Sequence, residues 1–134
     1  MTTQQGQVWH GAAFNLERME GSKEGVAIFR LSGPLTMRDM YAVQTPNAFR
    51  EMLDLQTALP SGAPPKLHVF DMSGVPYIDS MGLGWVASHF ARCQARGVRM
   101  IAAGVGPRVM EVFKLTKVDT IVPIAATVEE ACSD

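Results

Sequence analysis

The stretch Lys66–Gly97, KLHVFDMSGVPYIDSMGLGWVASHFARCQARG, decides the reading of this chain. Its first part, Lys66–Met72, is short, mostly apolar and entered from a Pro-rich loop, which marks a buried strand. Ser73 to Ile78 holds too many turn formers to continue either element. Asp79-Ser-Met-Gly-Leu-Gly84 then opens a helix, with Asp79 or Ser80 placed to cap its free amides. Leu83, Val86, Ala87, Phe90, Ala91 and Cys93 fall on one helical face, which is expected to pack on the sheet with Phe90 in the core. Trp85, Ser88, His89, Arg92 and Arg96 fall outside that face. Gly97 suits the C-cap, and Arg96 sits near the negative end of the helix dipole.

Outward from this unit, the chain reads as strands and helices in alternation. Phe14–Met19 alternates well enough for an edge strand. Glu20–Gly25 turns, and Gly25–Leu31 returns as a second strand, so the pair is an antiparallel hairpin. Met1–Gln7 is polar and expected to be mobile, and Val8–Ala13 is a weakly patterned candidate to extend the sheet. Leu35–Gln44 is ambiguous between a helical turn and a loop. A clearer helix runs from Thr45 to Leu59, with Thr45 as N-cap and Pro46 in the first turn. Pro60–Pro65 ends it. After Gly97, Val98–Ala103 is a buried strand, and Pro107–Leu115 is a short helix with Val109, Val112 and Phe113 inward. Thr120–Ile124 reads as a last short strand, and Thr127–Glu130 begins a terminal helix. This order calls for crossover connections and largely parallel pairing behind an antiparallel hairpin. The fold class is α/β, with a small mixed sheet packed with helices.

With 134 residues, 47% of them apolar, one domain with one core is the default. The net charge of −1 argues against a nucleic-acid partner, since phosphate contacts need a basic surface. No apolar run approaches the ~20 residues of a membrane span, and no secretory leader precedes Val8. Cys93 and Cys132 lack CxxC spacing, and His10, His68 and His89 stand in unrelated elements. That reads as two free thiols in a reducing cytoplasm and no metal site.

Ser80 is the residue where chemistry is best placed. Most Ser residues at helix starts are only caps. Phosphorylation there would add about −1.5 to −2 charges beside a helix N-terminus that tolerates them. A hydrolase nucleophile fits poorly, because no Gly-x-Ser-x-Gly elbow surrounds Ser80 and no His is placed as base. The lone Gly82-Leu-Gly84 and Gly104-Val-Gly106 pairs are too weak for a phosphate-binding loop. Met81 and Trp85 lie four apart off the expected core face, with small residues Gly84 and Ser88 continuing that surface. Such a surface suits docking, with an aromatic anchor and room for close approach. The alternative is that Trp85 lies under the loop before the helix or against the next helix.

Val69-Phe-Asp-Met-Ser-Gly-Val-Pro-Tyr-Ile-Asp-Ser-Met-Gly-Leu-Gly84 resembles the signature of the STAS family, the anti-sigma-factor antagonists. The likeness continues through Gly97–Pro107 and Val112–Ile121, and covers the chain from Phe14 to its end. The resemblance implies a single STAS-like domain at 14–134 behind an extension at 1–13. It also implies a bacterial partner switch in transcription regulation, with no catalytic activity and no cofactor. In such antagonists the anti-sigma factor is also a serine kinase and phosphorylates the Ser after the Asp, here Ser80. The unphosphorylated form binds that kinase, and a phosphatase resets the switch. The implied partner surface comprises Asp79, Ser80, Met81, Gly82, Trp85, Ser88 and His89, with homodimerisation open. Two positions differ from the usual pattern: Met81 stands where a second Ser often follows, and Thr36 where an acidic residue often ends the turn after the second strand. STAS domains also serve as unphosphorylated scaffolds and as accessory parts of transport systems, which is the alternative function.

Overall fold

The computed structural model describes residues 4–10, 13–41, 53, 55, 59 and 61–133. Its elements are β1 (Gln4–His10), β2 (Asn15–Glu20), β3 (Val26–Ser32), α1 (Met37–Tyr41), β4 (Leu67–Gly74), α2 (Ser80–Ala95), β5 (Arg99–Ala103), α3 (Pro107–Leu115), a 3-10 turn (Val118–Thr120), β6 (Ile124–Ala125) and α4 (Val128–Ser133). The strands form one sheet in the order β1-β2-β3-β4-β5-β6. The pairs β1/β2 and β2/β3 are antiparallel, and the remaining three pairs are parallel. Because spatial order follows chain order, successive right-handed crossovers bring their helices to the same face.

That face holds the larger core. Leu16, Ala27, Phe29, Leu31, Phe70, Met72, Met100 and Ala102 from the strands meet Val86 and Cys93 of α2 and Val109 and Phe113 of α3. The residues between them in the strands point the other way, as the period of two requires. Met19, Val26, Ile28, Leu67, Val69, Ile101 and Ala103 form a second core under Ala131 of α4. The central strands are apolar on both faces because both faces are covered.

Several expectations need correction. The segment expected to be mobile supplies β1 from Gln4 onward, so β2 is not an edge strand. β4 continues through Ser73 and Gly74, because Ser32 pairs with Gly74 across a register shift. The final strand is Ile124–Ala125, and the Thr120 end of the expected strand lies in the 3-10 turn. Val112 is half-buried while Val109 and Phe113 are buried. The helix expected at Thr45–Leu59 lies outside the described residues, except that Leu53 and Leu59 are buried in the larger core.

The largest revision concerns α2. Its buried residues are Gly82, Val86, His89 and Cys93, a stripe rotated from the one expected. Phe90 is half-buried against the core rather than inside it, and Ala91 is exposed. His89 is 0% exposed. Its ring stacks on Phe70 with centroids 5.0 Å apart and on His68 at 5.2 Å. Trp85, one turn before His89, also stacks on Phe70, at 5.4 Å. Phe29 closes the cluster, 4.8 Å from His68 and 5.4 Å from Phe70. The helix ends as the sequence suggests. Gly97 takes φ +73°, its amide bonds to Gln94 O, and the Val98 amide reaches Cys93 O at 2.9 Å. Those two bonds are a Schellman motif with glycine at its left-handed position.

The two imidazoles are joined, His68 Nδ1 to His89 Nε2, at 3.0 Å. Arg92 Nη2 lies 3.4 Å from His89 Nδ1 and can only donate. The His89 proton therefore sits on Nε2 and is donated to His68 Nδ1, which leaves the His68 proton on Nε2. That atom is buried without a hydrogen-bond partner among the described residues. Burial pushes both imidazoles down to about 3, helped at His68 by His89 and Arg18 and at His89 by Arg92.

Two tests follow from this packing. Both histidines are neutral in the folded protein but take up protons near pH 6.5 once unfolded, so the unfolded state binds more protons between about pH 6.5 and 3. Stability should therefore fall as pH drops through that window, by roughly 2 kcal/mol for each imidazole between pH 7 and 5. Urea melts paired with NMR titration of the two rings check this, and ring midpoints near 6.5 in the folded protein would contradict it. Secondly, a Cβ on Gly82 would lie 2.0 Å from the Leu35 carbonyl oxygen, so Gly82→Ala must displace α2 or the loop beneath it. A loss of about 2 kcal/mol or more is expected in denaturant melts, against a small change for Gly84→Ala, where nothing lies within 4 Å.

Candidate functional site

Two loops meet at the carboxyl ends of the parallel strands. The one after β3 carries Leu35, and the one after β4 carries Tyr77 and Ile78. Leu35 and Ile78 form a parallel bridge, the Leu35 amide donates to Tyr77 O at 3.1 Å, and the Asp79 amide donates to Leu35 O. Gly82 rests directly on that Leu35 carbonyl.

Asp79 is the N-cap of α2, in extended conformation, with Oδ1 accepting from the Gly82 amide at 2.8 Å. Its other oxygen, Oδ2, accepts from the Met37 amide at 3.0 Å, the first residue of α1. One carboxylate thus caps two helices. Thr36, where the family pattern often carries an acid, closes the start of α1. Its Oγ1 donates to Asp39 Oδ2 at 2.6 Å and accepts from the Asp39 amide at 3.2 Å. Thr36 thus caps the Asp39 amide through its hydroxyl, and the Asp39 carboxylate holds that hydroxyl in place.

Ser80 is the first residue of α2 and is exposed. Around it the surface is apolar. Met37, Tyr77 and Met81 are 52%, 40% and 49% exposed. The Arg108 guanidinium, at the start of α3, lies 5.2 Å over the Tyr77 ring. Met37, Tyr77 and Arg108 come from three different connections and were not singled out by sequence reading. The meeting of the loops that carry Met37 and Tyr77 depends on pairing between residues more than 40 positions apart, which no local pattern encodes.

The residues expected to form the partner surface separate into two groups. Asp79, Ser80 and Met81 stand together at the helix start, and Ser88 is exposed two turns along. Gly82 and His89 are buried under α2 and do not reach the surface. Trp85 is half-buried, with its ring stacked on Phe70 of β4, a contact with the sheet that was expected neither for a docking anchor nor for a residue under the preceding loop or against the next helix. The reason is geometric. Gly82 must face the Leu35 carbonyl, and residues four, seven and eleven positions on follow it around the helix to the same side.

A second grouping was not expected. His68 and His89, read as belonging to unrelated elements, converge on Cys93, and their ligand atoms lie within 4.8 Å of one another. Cys93 Sγ is 4.0 Å from His68 Nδ1. Burial pushes the Cys93 thiol up to about 12. The only longer-range signal was the spacing of His89 and Cys93, one helical turn apart.

Among the described residues no helix is long and apolar enough to cross a membrane. The sequence pattern of the STAS domain matches residues 21–131. The fold is similar to that of a candidate anti-sigma factor antagonist from Thermotoga maritima, with TM-score 0.64 and 22% identity over 83% of this chain and 87% of that one. It is also similar to a sulfate transporter family protein from Wolinella succinogenes, with TM-score 0.61 and 19% identity over 82% and 86%. An anti-sigma factor antagonist from Mycobacterium paratuberculosis matches with TM-score 0.59 and 20% identity over 98% and 92%. At these identities the structural likeness establishes the fold, and the match over residues 21–131 establishes the family: the chain belongs to the STAS domain family.

Proposed function

We propose that this chain is an anti-sigma-factor antagonist that binds a cognate anti-sigma factor with serine-kinase activity and is switched by phosphorylation of Ser80. The observation that carries this reading is an exposed Ser at a helix start, with exposed Met81 next to it in the chain and exposed Met37 and Tyr77 on the two loops that meet there. The unphosphorylated surface presents apolar side chains that a partner can bury. Both oxygens of Asp79 are engaged by the Met37 and Gly82 amides, which fixes the carboxylate in its capping position beside Ser80. A phosphate on Ser80 would add charge next to the positive end of a 16-residue helix, which stabilises it within the fold. The same charge would face the apolar contact in a complex, where it costs desolvation, and the partner leaves. A phosphatase then resets the protein.

The contact surface in this reading is Asp79, Ser80 and Met81 with Met37 and Tyr77, extended along α2 to Ser88. Trp85 supports it from below. The alternative, an unphosphorylated scaffold or an accessory part of a transport system, is favoured by Met81 in place of a second Ser and by the fold shared with the Wolinella protein.

Ser80→Asp should weaken capture of the co-purifying kinase by about tenfold or more, the scale of a disrupted interface centre, with little change in melting temperature. Ser80→Ala should bind and stay bound, and neither variant should accept phosphate from that kinase with ATP. Phosphosite mapping from stressed and unstressed cells separates the readings. Phosphate on another Ser or Thr, with Ser80 unmodified in every condition, would reject the switch. Unchanged partner exchange in both variants supports the scaffold.

A further inference from the structure

The His68–His89–Cys93 grouping is separate from the surface around Ser80 and has a donor set of its own. Three neutral, soft or borderline donors converge inside the core: two imidazole nitrogens and one sulfur. His68 Nδ1 and His89 Nε2 are 3.0 Å apart, and Cys93 Sγ lies 4.0 Å from His68 Nδ1. All three residues are 0% exposed. His68 is the second residue of β4, which lies between β3 and β5, while His89 and Cys93 are one turn apart on the buried side of α2. Met100 pairs in register with His68 on the next strand and is buried in the same core, which sets a thioether on this face of the sheet.

We propose that His68 Nδ1, His89 Nε2 and Cys93 Sγ form a site for a single copper(I) ion between β4 and α2. Soft thiolate and imidazole donors at three corners, with a thioether close by, suit a monovalent d10 ion that accepts low coordination numbers. Charge decides against zinc. The guanidinium of Arg92 lies 3.4 Å from His89, and Arg18 is buried close enough to disfavour charge on His68. Copper(I) on one thiolate is neutral overall, whereas a divalent ion on the same donors leaves a net positive charge in a dry site beside the buried Arg18.

The proton balance is simple. Cys93 S–H is exchanged for Cys93 S–Cu, and one proton is released per ion. His68 keeps its proton on Nε2. His89 moves its proton from Nε2 to Nδ1, so its donor bond to His68 is replaced by the metal. Arg92, which is exposed, then turns away from Nδ1 into water. No oxidant or reductant takes part.

The test uses the full chain, anaerobic and with ascorbate, titrated with copper(I) against a chromogenic copper(I) chelator. The wild type should retain one equivalent and melt at a higher temperature when loaded. Cys132→Ser should bind as the wild type does. Cys93→Ser should bind more than about 100-fold more weakly, beyond the loss typical of outer-shell changes. X-ray absorption at the copper edge of the loaded wild type keeps the proposal testable if Cys93→Ser does not fold. One sulfur with two nitrogen neighbours supports the site. Failure to compete with the chelator, wild-type affinity in folded Cys93→Ser, or a copper shell of two sulfurs without nitrogen would each overturn it.

Discussion

The Asp79 carboxylate is the constraint on which the arrangement of this domain rests. Parallel strands cannot be joined by tight turns, so the ends of β3 and β4 must be tied together by something other than the chain between them. Here one side chain accepts from the first turn of α1 and from the first turn of α2. Charged acceptors at helix starts make stronger hydrogen bonds than neutral ones, and they complement both helix dipoles. A Ser or Thr in this place offers a single oxygen and could serve only one helix strongly. Substitution of Asp79 would therefore leave two sets of amides short, in loops that otherwise meet through the Leu35–Ile78 bridge and a few backbone bonds.

Gly82 is the partner of that constraint. Its close approach to the Leu35 carbonyl sets the rotation of α2 about its own axis, and the remainder of the buried stripe follows. The stripe is unusual for a helix on a sheet: glycine, valine, histidine and cysteine, with the large apolar residues Trp85 and Phe90 at its margins. Small residues let the helix sit low over the sheet, and the space is filled from below by Phe29, Phe70 and His68. The aromatic bulk of this interface comes mostly from the strands. A buried His68–His89 pair is the consequence, since a polar group under the helix finds a hydrogen-bond partner within the core.

Much of this architecture was legible in the sequence. The hairpin, β4, β5, α3 and both ends of α2 each carried a local signal, whether alternation, an apolar run bounded by turn residues, or caps such as Asp79 and Gly97. The face of α2 was not legible, because hydrophobicity alone weighs Phe90 and Trp85 above Gly82 and His89. The deciding term is a backbone close approach from Leu35, 47 positions away. The carboxyl end of β4 was missed for a related reason. Ser73-Gly74 has the composition of a turn, yet Gly33 donates to Gly74 O and Ser32 pairs with Gly74, so tertiary pairing overrides local preference. β1 carries little apolar pattern, and its place comes from the free edge of β2. At the candidate site, Asp79, Ser80 and Met81 were found from the helix start itself. Met37, Tyr77 and Arg108 were not, because each belongs to a different connection and only the parallel topology brings the carboxyl ends of β3, β4 and β5 to one side.

The same helix carries the exposed Ser80 at one end and the buried His89 and Cys93 further along, and the two ends are held by different forces. The start is fixed by charge-assisted hydrogen bonds at the surface. The middle is fixed by stacked rings and a neutral imidazole pair within the core. Its finish is closed by the Schellman turn at Gly97, which anchors Val98 beneath Cys93. A charge added at Ser80 meets only the first of these. The helix amides and dipole accommodate it there, and nothing in the stacked core needs to rearrange for the surface to change sign. In the switch proposed above, recognition would be altered by the chemistry of the surface while the backbone that displays it stays where Asp79 and Gly82 put it.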